Sequence, residues 1–364
     1  MARVWTGIAL VVICLIAGGN TWAKDLSYLN LPSGYKIDIW AEIPGARSLV
    51  VTKDGRHIYV GTRDSRIFRI TDDNLDQQAD KTEVYLKGLK VPNGIALDEN
   101  DTLYVAEQHQ IIKVDPDRKK TVILPPGMLP DRRHHGWRYM ARGPDGYLYV
   151  AVGAPCNICR VNGVEGTIIR VHPETGKAEI YAKGVRNSVG FDWHPETKEF
   201  FFTDNGGDNL GDLIPPDELN RTQRAGEHFG FPFFYDEGKP YPQFASAGAA
   251  GPFKAPVIRF EAHAAALGIE FYEGRQFPKE MKNSAIVAQH GSWNRSDPVG
   301  YRLMRLDFDQ QGNPIQNTVF IDGWLRPDGE VRGRPVDLAE LPDGSLLVSD
   351  DHADVIYRIT YTPQ

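Results

Sequence analysis

The chain has 364 residues, of which 41% are hydrophobic, 24% charged and 10% aromatic, a balance that excludes wholesale disorder. A formal net charge of −7 excludes a broad nucleic-acid surface, which needs a basic face. Gly (36) and Pro (25) are abundant, which favours many turns and short strands over long helices.

The chain opens with Arg3, an apolar run over residues 8–17 and a small-residue end at Thr21-Trp22-Ala23. A positive start, a short apolar core and a small residue before Lys24 predict a secretory signal over residues 1–23, hence export to the periplasm. The run is short for a membrane span; an uncleaved N-terminal anchor is the alternative. No later stretch reaches membrane length, so residues 24–364 are expected to hold no span and to form one domain.

Six copies of one unit follow. Each has an apolar strand, a turn of the Asp-Gly type, a second strand such as Leu-Tyr-Val, and then a further strand. The units begin near Ser48, Asn93, Arg138, Ser188, Leu267 and Pro335, with turns at Asp54-Gly55, Asp145-Gly146 and Asp343-Gly344. Closely spaced turns between alternating strands predict all-β structure, and repeats of this size are propeller blades. The expected fold is a six-bladed β-propeller, with seven or eight blades as alternatives. The strand near residues 35–43 is expected to complete the last blade and close the ring. Residues 206–251 and 310–330 read as insertions, and Phe200 to Phe202 as core.

Of three cysteines, Cys14 lies in the leader. Cys156 and Cys159 form Cys-Asn-Ile-Cys, which in an exported protein predicts a local disulfide.

A propeller gathers polar residues at one end of its channel, so odd polar clusters beside strands matter. His134-His135 opens the third unit and offers a metal ligand or a general base. Arg186-Asn187 opens the fourth; the alternative is a structural Arg on a neighbouring carboxylate. Residues 203–209 and 215–220 combine carboxylates, amides and Gly carbonyls, which suits Ca²⁺; an acidic surface loop is the alternative. Arg295, Arg332 and Arg334 add cations at matching places, as for a polyanionic ligand.

In order, Gly-Pro-Asp-Gly-Tyr-Leu-Tyr-Val (143–150), Val-Arg-Asn (185–187), Thr-Asp-Asn-Gly-Gly (203–207), Pro-Asp-Glu-Leu-Asn (216–220), His-Phe-Gly-Phe-Pro (228–232) and Gly-Ser-Trp-Asn-Arg (291–295) resemble the glucose/sorbosone dehydrogenase family of soluble quinoproteins. The sequence looks closest to the sorbosone dehydrogenase-like branch. The resemblance implies a six-bladed propeller holding pyrroloquinoline quinone (PQQ) and Ca²⁺, with a His as general base. The base maps to His135, or to His134 if the register slips by one. Arg186 and Asn187 map to PQQ contacts, and the main-chain carbonyls of Gly206 and Gly207 to Ca²⁺, with Asp217 and Glu218 beside them. Arg295 replaces a family Lys. Arg334 matches one of two family arginines; Val336 stands at the other, with Arg332 near enough to compensate. Asn93 lies near a cofactor-binding Gln.

One departure stands out. Glucose enzymes of the family carry an Asp that orients the His, and here that stretch reads Val152-Gly153-Ala154-Pro155. The expected activity is oxidation of an aldose or sugar aldehyde, with a quinone or small cytochrome as electron acceptor. The alternatives are a Ca²⁺-dependent lactonase and a non-catalytic binding propeller.

Overall fold

The computed structural model describes residues 25–246 and 252–363; the secretory signal expected over residues 1–23 lies outside them. These residues are almost all strand, arranged as six small antiparallel sheets in a ring, a six-bladed β-propeller. The innermost strands are Ala46–Val51, Gly94–Leu97, Met140–Arg142, Phe191–Trp193, Ala266–Phe271 and Pro335–Glu340, and neighbours pack against one another around the channel. We number the blades one to six from these strands. No helix among the described residues is long and apolar enough to cross a membrane.

Alternation along each strand builds the core. Successive side chains point to opposite faces, so each sheet feeds two interfaces. In blade four, Phe200 and Phe202 pack against blade three, while Phe201 packs against blade five. In blade one, Ile58 and Val60 face blade six, while Tyr59 faces blade two. The apolar cores therefore lie between blades.

The N-terminal strand Tyr35–Glu42 pairs antiparallel with Val355–Tyr361 as the outer strand of blade six, which closes the ring with both chain ends. Two expected insertions are partly blade structure. Glu218–Thr222 and Pro314–Ile321 are strands of blades four and five. Their polar residues hid them: Pro314–Ile321 is a mostly exposed outer strand with weak alternation. The rest of the first stretch adds Glu227–His228, a parallel fifth strand on blade three.

Carboxylates also tie the blades near the channel. Asp192 accepts N–H bonds from Trp193 (2.7 Å) and from Phe271 of blade five (2.8 Å). Asp337 of blade six accepts from Leu49 of blade one (3.0 Å) and from the Tyr139 hydroxyl (3.3 Å). Burial pushes both carboxyls up to about 7. In an unfolded chain they ionise near ~4. The folded state therefore binds more protons between those values, and stability falls as pH rises through that window. Thermal midpoints in chelator are expected to drop from about pH 5 to pH 8. Asp192→Asn is expected to flatten the slope; a midpoint that climbs over this range would contradict the assignment.

Candidate functional site

One mouth of the channel widens into a funnel of about 680 Å³. Its wall comes from loops flanking the inner strands. These include His134, His135 and Trp137 before blade three, Arg186 and Asn187 before blade four, and Arg334 before blade six. Arg63, Asn205 and His290 each sit one residue past the second strand of blades one, four and five.

His135 is buried in left-handed backbone (φ 46°), with its ring 4.0 Å from that of His134. Its Nδ1 lies 2.9 Å from the Ala154 carbonyl. A carbonyl only accepts, so Nδ1 carries the proton and Nε2 keeps its lone pair. The 152–155 stretch, where the resemblance would have placed an orienting carboxylate, thus fixes the tautomer with main chain. Burial, then the Arg186 guanidinium and the neighbouring His134 ring, hold the imidazole far below its usual range, so it stays neutral. Gly153 makes this fit: a Cβ there would meet the His135 Cβ at 2.5 Å.

The loop before blade four hangs from Asp204, which accepts the Arg186 (2.9 Å) and Asn187 (2.6 Å) N–H groups. Burial raises this carboxyl to about 7. The Arg186 guanidinium reaches the Asn157 carbonyl and Oδ1 (both 2.9 Å), the Asn205 carbonyl (3.1 Å) and Asp208 (2.8 Å). Only one of its five N–H donors is left over. Asn157 sits inside the Cys156–Cys159 disulfide, so the expected bridge holds the loop that holds Arg186. The Asn187 side-chain amide, by contrast, has no hydrogen bond among the described residues and borders the funnel. The Gly206 and Gly207 carbonyls likewise accept none.

Across the funnel, His290 Nε2 is 2.7 Å from Asp351, which also pairs with Arg47 at 2.5 Å. Burial alone would raise Asp351, but Arg47, His290 and Arg63 together hold it well below the carboxylate range. Burial outweighs Asp351 at His290 and lowers that imidazole to about 4.

The structure gathers His134, His135, Arg186, Asn187, Gly206, Asp217 and Arg334 around one funnel. The other expected site residues lie elsewhere. Asn93 is buried beneath, accepting from Arg47 Nε (2.7 Å) and donating to the Arg138 carbonyl (2.8 Å). Arg295 donates to the Ala262 carbonyl (3.1 Å), and Arg332 pairs with exposed Glu330 (2.9 Å). Gly207 packs behind the lining against Ile158 and Tyr241. Asp217 accepts the N–H groups of Gly206, Ala265 and Ala266. Glu218 accepts from the Asp236 N–H and is pushed up by burial to about 8. Both carboxylates brace main chain, which leaves the carbonyl of Gly206, at the funnel lining, as an oxygen that accepts no hydrogen bond among the described residues. Among the described residues no three His, Cys, Asp or Glu side chains are grouped to hold a metal. Val336 packs with Val189, Leu267 and Trp137 as an apolar floor.

Sequence reasoning missed Arg63, Arg47 and the His290–Asp351 pair. A signal existed. Aligning the ends of the second strands puts Arg63, Glu107, Gly153, Asn205, His290 and Asp351 at one repeat position.

A family profile described as a domain of unknown function, DUF7133, matches residues 49–363. The chain belongs to that family. It is 36% identical, over 97% of its own length and 96% of the other, to an uncharacterized protein of Borreliella burgdorferi. In fold it resembles an AA12 carbohydrate-active enzyme of Trichoderma reesei (TM-score 0.76, 20% identity, 92% of this chain and 98% of that one). It also resembles the PQQ domain of pyranose dehydrogenase from Coprinopsis cinerea (TM-score 0.76, 17% identity, 91% and 97%). At these identities the likeness shows a shared propeller fold.

Two outcomes are expected. The His135 ring signals should not titrate between about pH 4 and pH 8 when followed by NMR, because burial keeps the ring neutral. Replacing Cys156 and Cys159 by Ser should cost about 2 kcal/mol in denaturant unfolding, the scale for closing so short a loop.

Proposed function

We propose that the chain is a periplasmic PQQ- and Ca²⁺-dependent dehydrogenase that oxidises an aldose or sugar aldehyde at C1. The observation that carries this reading is the neutral His135 with a bare Nε2, set beside an unpartnered Asn187 side-chain amide and the unbonded Gly206 carbonyl of the same funnel. Hard oxygen donors suit Ca²⁺, and a cation-rich wall suits a polycarboxylate. The fold shared with a PQQ-binding pyranose dehydrogenase domain supports the same reading.

Asn187, Arg334 and the last free N–H of Arg186 would hold the quinone, and the Gly206 and Gly207 carbonyls its cation. When bound, the pair supplies an electrophilic carbonyl that accepts hydride. The rest falls to the protein. His135 Nε2 takes the proton of the C1 hydroxyl as the C1 hydrogen leaves with its electron pair. The Ala154 carbonyl keeps Nδ1–H aimed so that Nε2 always faces the sugar. The floor of Val189, Leu267 and Val336 excludes water beneath. A quinone or small cytochrome would then carry the electrons away.

A calcium lactonase needs carboxylate and amide side chains converging on one metal. Here Asp204, Asp217 and Glu218 are occupied with main-chain N–H groups, and Asp208 with the side chains of Arg186 and Asn294.

PQQ with Ca²⁺ should raise the thermal midpoint of chelator-stripped protein and support dye reduction with an aldose panel. His135→Gln should keep that rise while kcat falls at least about a hundredfold, the usual worth of a general base. No PQQ-dependent rise in the unaltered protein would remove the proposal.

A further inference from the structure

Arg63 has no place in the assignment above. Among the described residues it makes no ion pair and no hydrogen bond. Its guanidinium lies 4.0 Å over the Trp137 ring, which fixes it at the funnel wall. Arg133 also lines the funnel, but as an exposed side chain that no ion pair or side-chain hydrogen bond fixes among the described residues; the other two lining arginines are held. Arg186 is paired with Asp208, and Arg334 binds the His290 (2.9 Å) and Gly291 (2.6 Å) carbonyls. The carboxylate that acts on Arg63, Asp351, is already shared by Arg47 and His290. Burial, and then Arg47 beside it, push the Arg63 guanidinium down to about 9, so positive charge is crowded there.

Position selects the kind of anion. The Trp137 ring that carries Arg63 is 6.4 Å from the His135 ring. Arg63 therefore stands on the side of the funnel where the reacting sugar must meet the base. Resting on the function proposed above, a tricarboxylate with a divalent cation brings one net negative charge, which Arg334 answers. That leaves the exposed Arg133 and Arg63, of which Arg63 is fixed in place on Trp137.

We propose that Arg63, held on Trp137, binds a carboxylate of the substrate, so that the enzyme acts on sugar acids of the uronate type in preference to neutral aldoses. The planar guanidinium and the carboxylate match as a two-point hydrogen-bonded pair.

The test is calorimetric binding of glucuronate against glucose, and galacturonate against galactose, on the mature chain with and without PQQ and Ca²⁺. Each uronate is expected to bind about tenfold to a hundredfold more tightly than its neutral partner, the worth of a charge-assisted pair. In Arg63→Gln that ratio is expected to fall toward one. Equal affinities in the unaltered protein would overturn the inference, as would a PQQ affinity that falls in Arg63→Gln by the same factor as uronate affinity. PQQ binding is read separately, so its failure would remove the dehydrogenase reading while the uronate ratio still decides the role of Arg63.

Discussion

Ring closure governs everything else in this molecule. The pairing of Tyr35–Glu42 with Val355–Tyr361 brings the first blade against the last. Only then can Arg47 reach Asp351, the Ser349 hydroxyl donate to the Arg47 carbonyl at 2.5 Å, and Leu49 donate to Asp337. Of these, the Arg47–Asp351 pair backs His290, which lines the funnel. Without closure, Asp351 and His290 would have no Arg47 to face, and the buried charge of Arg47 would lose its partner.

Around that closed ring, charge is handled in two ways. On the braced side, Asp204, Asp217 and Glu218 spend themselves on main-chain N–H groups and so fix the loops. On the open side, arginines and imidazoles outnumber the carboxylates that reach the funnel. The acidic total of the chain hides this local excess of cations. A site with such a sign suits an anionic ligand, whatever the surface charge far from it.

The sequence carried the architecture well, because strand alternation repeats six times and Asp-Gly turns mark three of the units. Asp54, Asp145 and Asp343 each accept an N–H two residues on, so the repeat is chemical as well as statistical. Strands whose side chains are polar or exposed, such as Pro314–Ile321, left no such trace. Site residues on blade boundaries, His135, Arg186 and Asn187, stood out as odd polar residues. The Ala154 carbonyl could not be read, since main-chain groups have no residue signature. Nor could the destination of Arg295 or Arg332 be read, since long cations near a site can turn to local acceptors instead.

The apolar cores lie between neighbouring blades, while the funnel residues stand on the loops above them. Packing and recognition therefore draw on different parts of each repeat. A side chain at one loop can change without disturbing the interdigitated aromatics below. The same six-fold frame can thus be tuned to new ligands one loop at a time, with the ring itself left intact.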